Sequence, residues 1–176
     1  MQKIKNLAYL LAVSLLLFSC GEYQKVLNKG TVEDQYKMAV KMYESQKFGK
    51  AIRLFEKVTP AYRGKPQMER IQFMVAQSNF NEKNYQTAGY YFDRFAKNYP
   101  KSSKLEEASF ASALSYKLAS PEFSKDPTDT NKALEAFQTF INDFPDSDKL
   151  EEANKHYKEL RYKLQKKYFE IAKTYY

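Results

Sequence analysis

The sequence predicts an all-α protein in which helical hairpins repeat along the chain and stack into a solenoid. Residues 88–108, AGYYFDRFAKNYPKSSKLEEA, recur 45 residues later as 133–153, ALEAFQTFINDFPDSDKLEEA, with 10 of 21 positions identical. Self-similarity over tens of residues is typical of solenoids. The 176 residues also include only 5 Gly and 6 Pro beside 15 Tyr and 13 Phe, a composition suited to closely packed helices.

The positions shared by the two copies have physical roles in a helix–stop–helix unit. Ala88, Phe92 and Phe95 lie at i, i+4 and i+7, which is one face of a helix. Pro100 then ends that helix, because proline lacks an N–H and disfavours helix in the residue before it. In the second copy the same roles fall to Ala133, Phe137, Phe140 and Pro145. Ser103 with Glu106, and Asp148 with Glu151, have the spacing of an N-cap and its N3 partner for the next helix.

A more degenerate copy precedes these two, and each copy also has a first helix. The degenerate copy is Ala51, Phe55 and Val58, and the first helices carry small residues at Ala39, Ala76 and Ala113. We predict helices over about 31–45, 48–59, 67–81, 85–98, 105–118 and 131–143, then a long helical segment to the end of the chain. Residues 61–66 and 119–130 are predicted loops because of their Gly, Pro and Asp content.

The pattern resembles the tetratricopeptide repeat, in which small residues allow paired helices to approach and an aromatic residue locks the hairpin. The resemblance implies tetratricopeptide-like repeats forming a superhelical solenoid over residues 31–176. Its parts are about 31–66, 67–104, 105–148 and the helical segment 149–176. The last segment keeps an apolar stripe at its end, and terminal repeats normally have a polar cap. We therefore expect that the natural protein is longer or that a partner covers this end.

The N-terminus is predicted to be a lipoprotein signal peptide, residues 1–19. Lys3 and Lys5 precede an apolar stretch of 12 residues, 7–18, which is interrupted only by Ser14. This stretch is too short to span a membrane, as is typical of a signal peptide. Residues 17–20, Leu-Phe-Ser-Cys, resemble the bacterial lipobox, which implies a covalent lipid on Cys20. Residues 20–30 show no strong period and are predicted to be a lipidated tether. Gly21, in place of the aspartate that signals inner-membrane retention, favours the outer membrane. Removal of Lys3 and Lys5 would change the formal charge from +8 to +6.

The order of these features resembles the BamD family, the lipoprotein subunits of the outer-membrane β-barrel assembly (BAM) machinery. The lipobox is followed by A-x3-F-x2-F-x4-P-x-S helices, a DPTDT loop and the L-R-x-x-L helix that starts at Leu160. The resemblance implies an outer-membrane, lipid-anchored, periplasmic subunit that binds a BamA-type barrel subunit and unfolded outer-membrane proteins. The C-terminal part of the family pattern, which contributes much of the BamA contact, is missing here.

A binding function requires a surface, and the first helix of each pair lines the concave side of a solenoid. With the small residues at the tight-packing positions, the predicted peptide-binding groove contains three positions from each first helix together with Arg70, and Arg70 and Lys117 are its basic rim residues. The candidates are Tyr36, Val40, Tyr43, Arg70, Phe73, Gln77, Phe80, Phe110, Leu114 and Lys117. The family resemblance implies that the bound peptide is the aromatic-rich C-terminal β-signal of an outer-membrane protein. For any single aromatic residue of this set, a core position is an equally good interpretation.

Other function classes are disfavoured. The one histidine, His156, excludes His-based triads and multi-histidine metal sites within the chain, and we interpret it as a solvated surface residue. No cofactor beyond the lipid is expected, and nucleic acid is disfavoured because Lys and Glu intersperse along the helices. The alternatives that stay open are another periplasmic tetratricopeptide-repeat lipoprotein that scaffolds an envelope or secretion complex, and a peptidoglycan-associated helper.

Overall fold

A computed structural model describes residues 21–120 and 126–174, and every regular element among them is an α-helix. The helices are α1 (21–29), α2 (Val32–Glu44), α3 (Phe48–Tyr62), α4 (Gln67–Asn81), α5 (Tyr85–Asn98), α6 (Leu105–Ala119), α7 (Thr128–Asp143) and α8 (Leu150–Lys173). The predicted all-α, tetratricopeptide-like class is confirmed. The described residues divide into two compact units, with the boundary between Gly64 and Lys65. The signal peptide and Cys20 lie outside the described residues.

In the first unit, α2 begins where the sequence predicts. The Thr31 hydroxyl accepts a hydrogen bond from the Asp34 N–H at 3.2 Å, and the Asp34 carboxylate accepts from the Thr31 N–H at 3.2 Å. These two bonds form a capping box that satisfies two donors at the start of the helix. The Thr31 hydroxyl also donates to that carboxylate and lowers the pKa of Asp34 below its ordinary value.

Most of the segment predicted to be a lipidated tether forms a helix in the structure. Residues 21–29 form α1, and Tyr23 is buried in the first unit. The Gln35 amide donates to the carbonyls of Val26 and Leu27 at 3.3 and 3.2 Å, which ties α2 to the end of α1. The pattern Tyr23, Val26, Leu27 is helical, but it covers little more than one turn and is too short to show a period.

The C-terminal ends of α3, α5 and α7 differ in the position of their proline. Helices α5 and α7 end just before Tyr99 and Phe144, which share a φ of −129° and precede Pro100 and Pro145, as predicted. Helix α3 instead contains Pro60 and continues to Tyr62, so the predicted end at Thr59 is three residues short. Because Pro60 lies exposed in the last turn, the carbonyl it leaves without an amide partner can be hydrated.

The predicted cap residues of α6 and α8 are displaced by one position. Ser103 and Asp148 do not cap these helices, and no side chain of the N-cap residues does. The hydroxyls of Ser102 and Ser147 accept instead from the N–H groups of Lys104 and Lys149, each at 3.0 Å. The tight turn after each proline places the serine, rather than its successor, beside the first free amide.

The start of α7 also differs from the prediction. The helix begins at Thr128 rather than near Asn131. The Asp126 carboxylate accepts from the N–H and the hydroxyl of Thr128 at 3.0 and 2.8 Å, and these bonds lower the pKa of Asp126. An aspartate two residues earlier thus supports the first turn of the helix.

The core of the second unit includes two clusters that repeat along the chain. Phe73, Ala76, Ala88, Phe92, Phe95 and Ala108 form the α4–α5 cluster. The α6–α7 cluster comprises Phe110, Ala113, Tyr116, Ala133, Phe137, Phe140, Ala153 and Leu160. The two small residues predicted at close helix approaches, Ala88 and Ala133, are both 0% exposed. Each cluster also includes an alanine from the next repeat, so neighbouring hairpins share their cores.

Helix α8 is buried only along its first half. Leu160 is buried, whereas Tyr168 and Ile171 of the predicted apolar stripe are exposed, and Tyr175 lies outside the described residues. Among residues 21–120 and 126–174, no helix combines the length and hydrophobicity that a membrane span requires.

Candidate functional site

The structure places the predicted groove residues in three different environments. Phe73 and Phe110 are buried and are therefore core residues rather than groove residues. Each lies between two phenylalanines of its hairpin partner, with Phe73 5.9 Å from Phe92 and 5.3 Å from Phe95 between ring centroids. The prediction is wrong for these two positions because α4 and α6 begin opposite the aromatic ends of α5 and α7. The hairpin encloses an aromatic residue there.

Half-buried positions remain one turn later on the same helices. Gln77 and Leu114 directly follow the buried Ala76 and Ala113, and both keep part of their side chains at the surface. Phe80 is also half-buried, and its ring packs edge-on against Tyr85 at 5.6 Å across the α4–α5 turn. The side chains of these three residues are accessible on the second unit.

In the first unit the corresponding candidates are all half-buried. Val40 directly follows the buried Ala39. Tyr36 packs against Tyr62 with ring centroids 5.0 Å apart, and Tyr43 packs edge-on against Phe48 at 5.9 Å. Aromatic rings therefore stabilise both ends of this hairpin while remaining partly accessible.

The two predicted basic rim residues also differ from each other. Arg70 is exposed at the start of α4. Lys117 is instead engaged in an ion pair, with its Nζ 2.7 Å from the Glu159 carboxylate, and a second contact joins that Nζ to His156. A peptide carboxylate would have to compete with Glu159 for this cation, so Lys117 is a poor rim residue.

His156 is not the solvated surface residue that the sequence suggested. Its side chain is only 15% exposed and packs on the Phe137 ring with centroids 5.4 Å apart. Its ring nitrogens lie 3.4 Å from carboxylate oxygens of Glu152 and Glu159. The charged sequence around it concealed this packing, because the apolar contact comes from α7 rather than from α8.

A hydrogen bond that was not predicted from the sequence repeats at the proline end of both hairpins. The Ser102 hydroxyl donates to Glu69 at 2.6 Å, and the Ser147 hydroxyl donates to Glu106 at 2.5 Å. Each serine thus joins the loop after one hairpin to the start of that hairpin's first helix while also capping the next helix. The identical serine in both P-x-S segments was the available signal, but it was assigned no role.

A lysine accompanies this contact in each repeat. The Lys104 ammonium lies 5.5 Å from the centre of the Phe73 ring, and that of Lys149 lies 4.8 Å from the Phe110 ring. Such cation–π contacts cover the open end of each aromatic cluster.

Within residues 21–120 and 126–174, no group of three or more histidine, cysteine or acidic residues is arranged to hold a metal ion.

These features define an all-α protein of tetratricopeptide-like hairpins, with aromatic cores and partly accessible first-helix positions. The YfiO family of outer membrane lipoproteins matches residues 28–176. The chain belongs to this family.

Two curated relatives are distant in sequence. "Outer membrane protein assembly factor BamD" of Haemophilus influenzae is 24% identical over 185 residues, covering 99% of this chain and 70% of the relative. An Aquifex aeolicus protein that carries the same name provisionally is 26% identical over 134 residues, covering 72% of this chain and 42% of the relative. The chain therefore spans only part of the length of the curated relatives it matches.

Proposed function

We propose that this chain is a subunit of the outer-membrane β-barrel assembly machinery, anchored to the outer membrane and facing the periplasm. The observation that carries the proposal is the family match over residues 28–176, supported by two relatives named as assembly factors. The chain acts by binding rather than by catalysis, and its anchor is a covalent lipid on Cys20. Its partners are a BamA-type barrel subunit and unfolded outer-membrane proteins.

The accessible first-helix positions of the second unit support a client surface there. Gln77, Phe80 and Leu114 combine an aromatic ring, an aliphatic side chain and an amide, and all three are half-buried. A rigid aromatic ring provides contact area at low entropic cost, which suits the aromatic-rich end of a barrel protein. Phe73 and Phe110 contribute only indirectly, because they position the helices from the core.

The decisive experiment is co-purification through a tag on this protein from detergent-solubilised envelope. A BamA-type barrel subunit among the captured proteins is the expected result. Capture of an unrelated envelope or secretion assembly, without that subunit, would contradict the proposal and leave the general scaffold interpretation.

Client recognition is tested by binding of a synthetic C-terminal barrel-protein peptide. We expect Phe80→Ala to weaken binding by ~1–2 kcal/mol and to cost less stability than Phe73→Ala, since the Phe80 ring is half-buried at the edge of the core cluster. The matched control is Tyr85→Ala, which removes the other ring of the same pair from the second helix of the hairpin. Equal losses of peptide affinity in both variants would show that binding requires the intact α4–α5 turn rather than the surface of α4.

The anchor is tested by Cys20→Ser. We expect loss of palmitate labelling and loss of outer-membrane fractionation, because serine has no thiol to carry the lipid and the acyl chains are what hold the protein at the membrane. Unchanged labelling would contradict lipidation at this residue.

A further inference from the structure

The second unit contains a cleft on a different side of α6 from the proposed client surface. The cleft has a volume of about 730 Å³, with a floor on α6 and walls on α5 and α7. Ser109, Ser112 and Tyr116 belong to its floor. At 100° per residue these positions lie about 140–160° around α6 from Leu114, close to its opposite side. The cleft and the client surface therefore share no residue.

The floor and one wall offer unused hydrogen-bonding groups. Tyr116 is only 9% exposed, yet its hydroxyl has no hydrogen-bond partner among residues 21–120 and 126–174. The hydroxyls of Ser109 and Thr139, which also line the cleft, have no intramolecular partner in the same part of the chain. An extended peptide needs such partners because its backbone N–H and C=O groups are unpaired, whereas the backbone of a helix is already satisfied. The cleft therefore favours an extended segment.

The charges of the cleft are unbalanced on the α7 side. Asp93 and Lys97 pair with each other at 2.8 Å, and Lys132 lies 3.7 Å from Asp129 outside the cleft lining. Two further carboxylates, Glu135 and Asp143, line the cleft and form no ion pair or hydrogen bond with any described residue. Lys132 also lines the cleft, with its ammonium 5.6 Å from the centre of the Tyr116 ring, so the lining has three carboxylates against two ammonium groups. The excess is one negative charge, in a chain whose formal charge is +8. Charge complementarity points to a basic ligand.

The spacing of these two carboxylates sets the pattern of the ligand. Glu135 and Asp143 are eight residues apart on α7, which is about 12 Å along a helix. In an extended chain the side chains at i and i+4 lie on one side and are about 13 Å apart. Ala96 of α5 and Ala136 of α7 also line the cleft, and their small side chains leave room for an apolar side chain, which in an extended segment lies at i+2 on the same side as i and i+4.

We propose that this α5–α6–α7 cleft binds an extended segment of a partner protein that carries basic side chains at i and i+4 and an apolar side chain at i+2. Glu135 and Asp143 bind the two cations, and the hydroxyls of Ser109, Tyr116 and Thr139 pair with the peptide backbone.

The test measures binding of a fluorescent five-residue peptide, acetylated and amidated, with Arg at its first and fifth positions, Val at its third and Ser between. The protein is the full chain in mild detergent. We expect saturable binding that weakens as salt rises, because the contacts are charged. The double variant Glu135→Gln/Asp143→Asn, which preserves shape at two exposed positions, should raise Kd about tenfold or more. Tyr116→Phe should raise Kd about threefold to tenfold through loss of one hydrogen bond.

The matched control is Glu56→Gln/Glu151→Gln, which removes the same charge from two exposed positions outside the cleft and should leave Kd unchanged. Binding of the aromatic barrel-protein peptide should be the same in the cleft variant as in the unaltered chain, which separates this inference from the proposed function. The inference is overturned if the basic peptide does not bind, if a peptide with Glu in place of Arg binds equally, or if both double variants weaken binding alike. A self-associated chain that the cleft variant dissociates would also overturn it, because the occupant would then be a second copy.

Discussion

The hairpins α4–α5 and α6–α7 are alike at one end and different at the other. At the proline end, Phe110 lies 6.1 and 5.3 Å from Phe137 and Phe140, close to the 5.9 and 5.3 Å between Phe73 and its two partners. A serine–glutamate hydrogen bond and a lysine–phenylalanine contact recur at this end in both hairpins. This end is where one repeat joins the next.

At the other end, where the two helices of a hairpin are connected, the two hairpins are stabilised by different kinds of contact. The α4–α5 turn packs Phe80 against Tyr85, whereas the α6–α7 connection is longer and polar. There Ser120 and Thr130 share a hydrogen bond of 2.6 Å, and Lys163 of α8 donates to the Ser120 hydroxyl at 2.7 Å. The comparison teaches that the repeat is conserved within this chain where hairpins stack. It varies at the connection between the two helices of each hairpin.

The largest expected effect tests whether the proline ends are equivalent. Phe73→Ala and Phe110→Ala should each lower the free energy of unfolding by ~3–5 kcal/mol, because both rings are buried between two others. Denaturant titration of the two variants measures this. A cost below ~1 kcal/mol for either one would show that its ring belongs to an accessible groove, as the sequence suggested.

This pair of residues also shows what sequence could and could not predict. The apolar spacing of Ala88, Phe92 and Phe95 predicted α5 to the residue, and the proline rule predicted its end. The same periodicity cannot say which side of α4 faces α5, since Phe73 and Phe80 lie on nearly one face of the helix. Their different burial depends on whether the partner helix offers aromatic rings at that level.

The other differences between the predicted and the observed site also arise from contacts with other helices. His156 packs on Phe137 of α7, and Lys117 forms an ion pair with Glu159 of α8. The cleft beside α6 has no local pattern at all, because its lining comes from three helices and most of its residues are small or charged. Local rules therefore predicted the elements and their order, whereas the candidate site depended on packing.

The next largest effect tests whether α5 and α7, the second helices of the two hairpins, pack equally closely against their neighbours. Ala88→Leu and Ala133→Leu should each cost ~1–3 kcal/mol through overpacking, since both alanines are 0% exposed in the core clusters. Lys101→Ala, at an exposed turn position, is the control and should stay within about ±0.5 kcal/mol. Thermal or denaturant midpoints provide the comparison. Tolerance of leucine at only one of the two alanines would mean that the hairpins approach at different distances.

A smaller effect distinguishes the first helices α4 and α6. Ser115 donates a hydrogen bond to the Ala111 carbonyl at 2.5 Å, whereas the hydroxyl of Ser78, at the corresponding position of α4, is buried without a partner. Ser115→Ala should cost ~0.5–1.5 kcal/mol, and Ser78→Ala should be neutral or stabilising because it removes an unsatisfied polar group. Unfolding free energies of the two variants decide the matter. A larger loss at Ser78 would reveal a hydrogen bond there.

The smallest effect concerns the polar turn end of α6–α7 and depends on pH. The hydrogen bond from Lys117 holds the pKa of Glu159 below the ordinary glutamate value of 4.5, with His156 adding to the shift. A lowered pKa in the folded state stabilises the protein above the unfolded pKa, and this contribution is lost as pH falls through the folded pKa. Glu159→Gln should therefore cost up to ~1 kcal/mol at neutral pH, a modest value because both side chains are partly exposed. The difference from the unaltered chain should shrink below pH 4.5 and vanish in stronger acid.

Denaturant titrations at several pH values measure this difference in stability, and the same titrations on Lys117→Met supply the control. In that background Glu159→Gln should have little effect at any pH. A cost that persists in acid would assign the role of Glu159 to packing rather than to its charge.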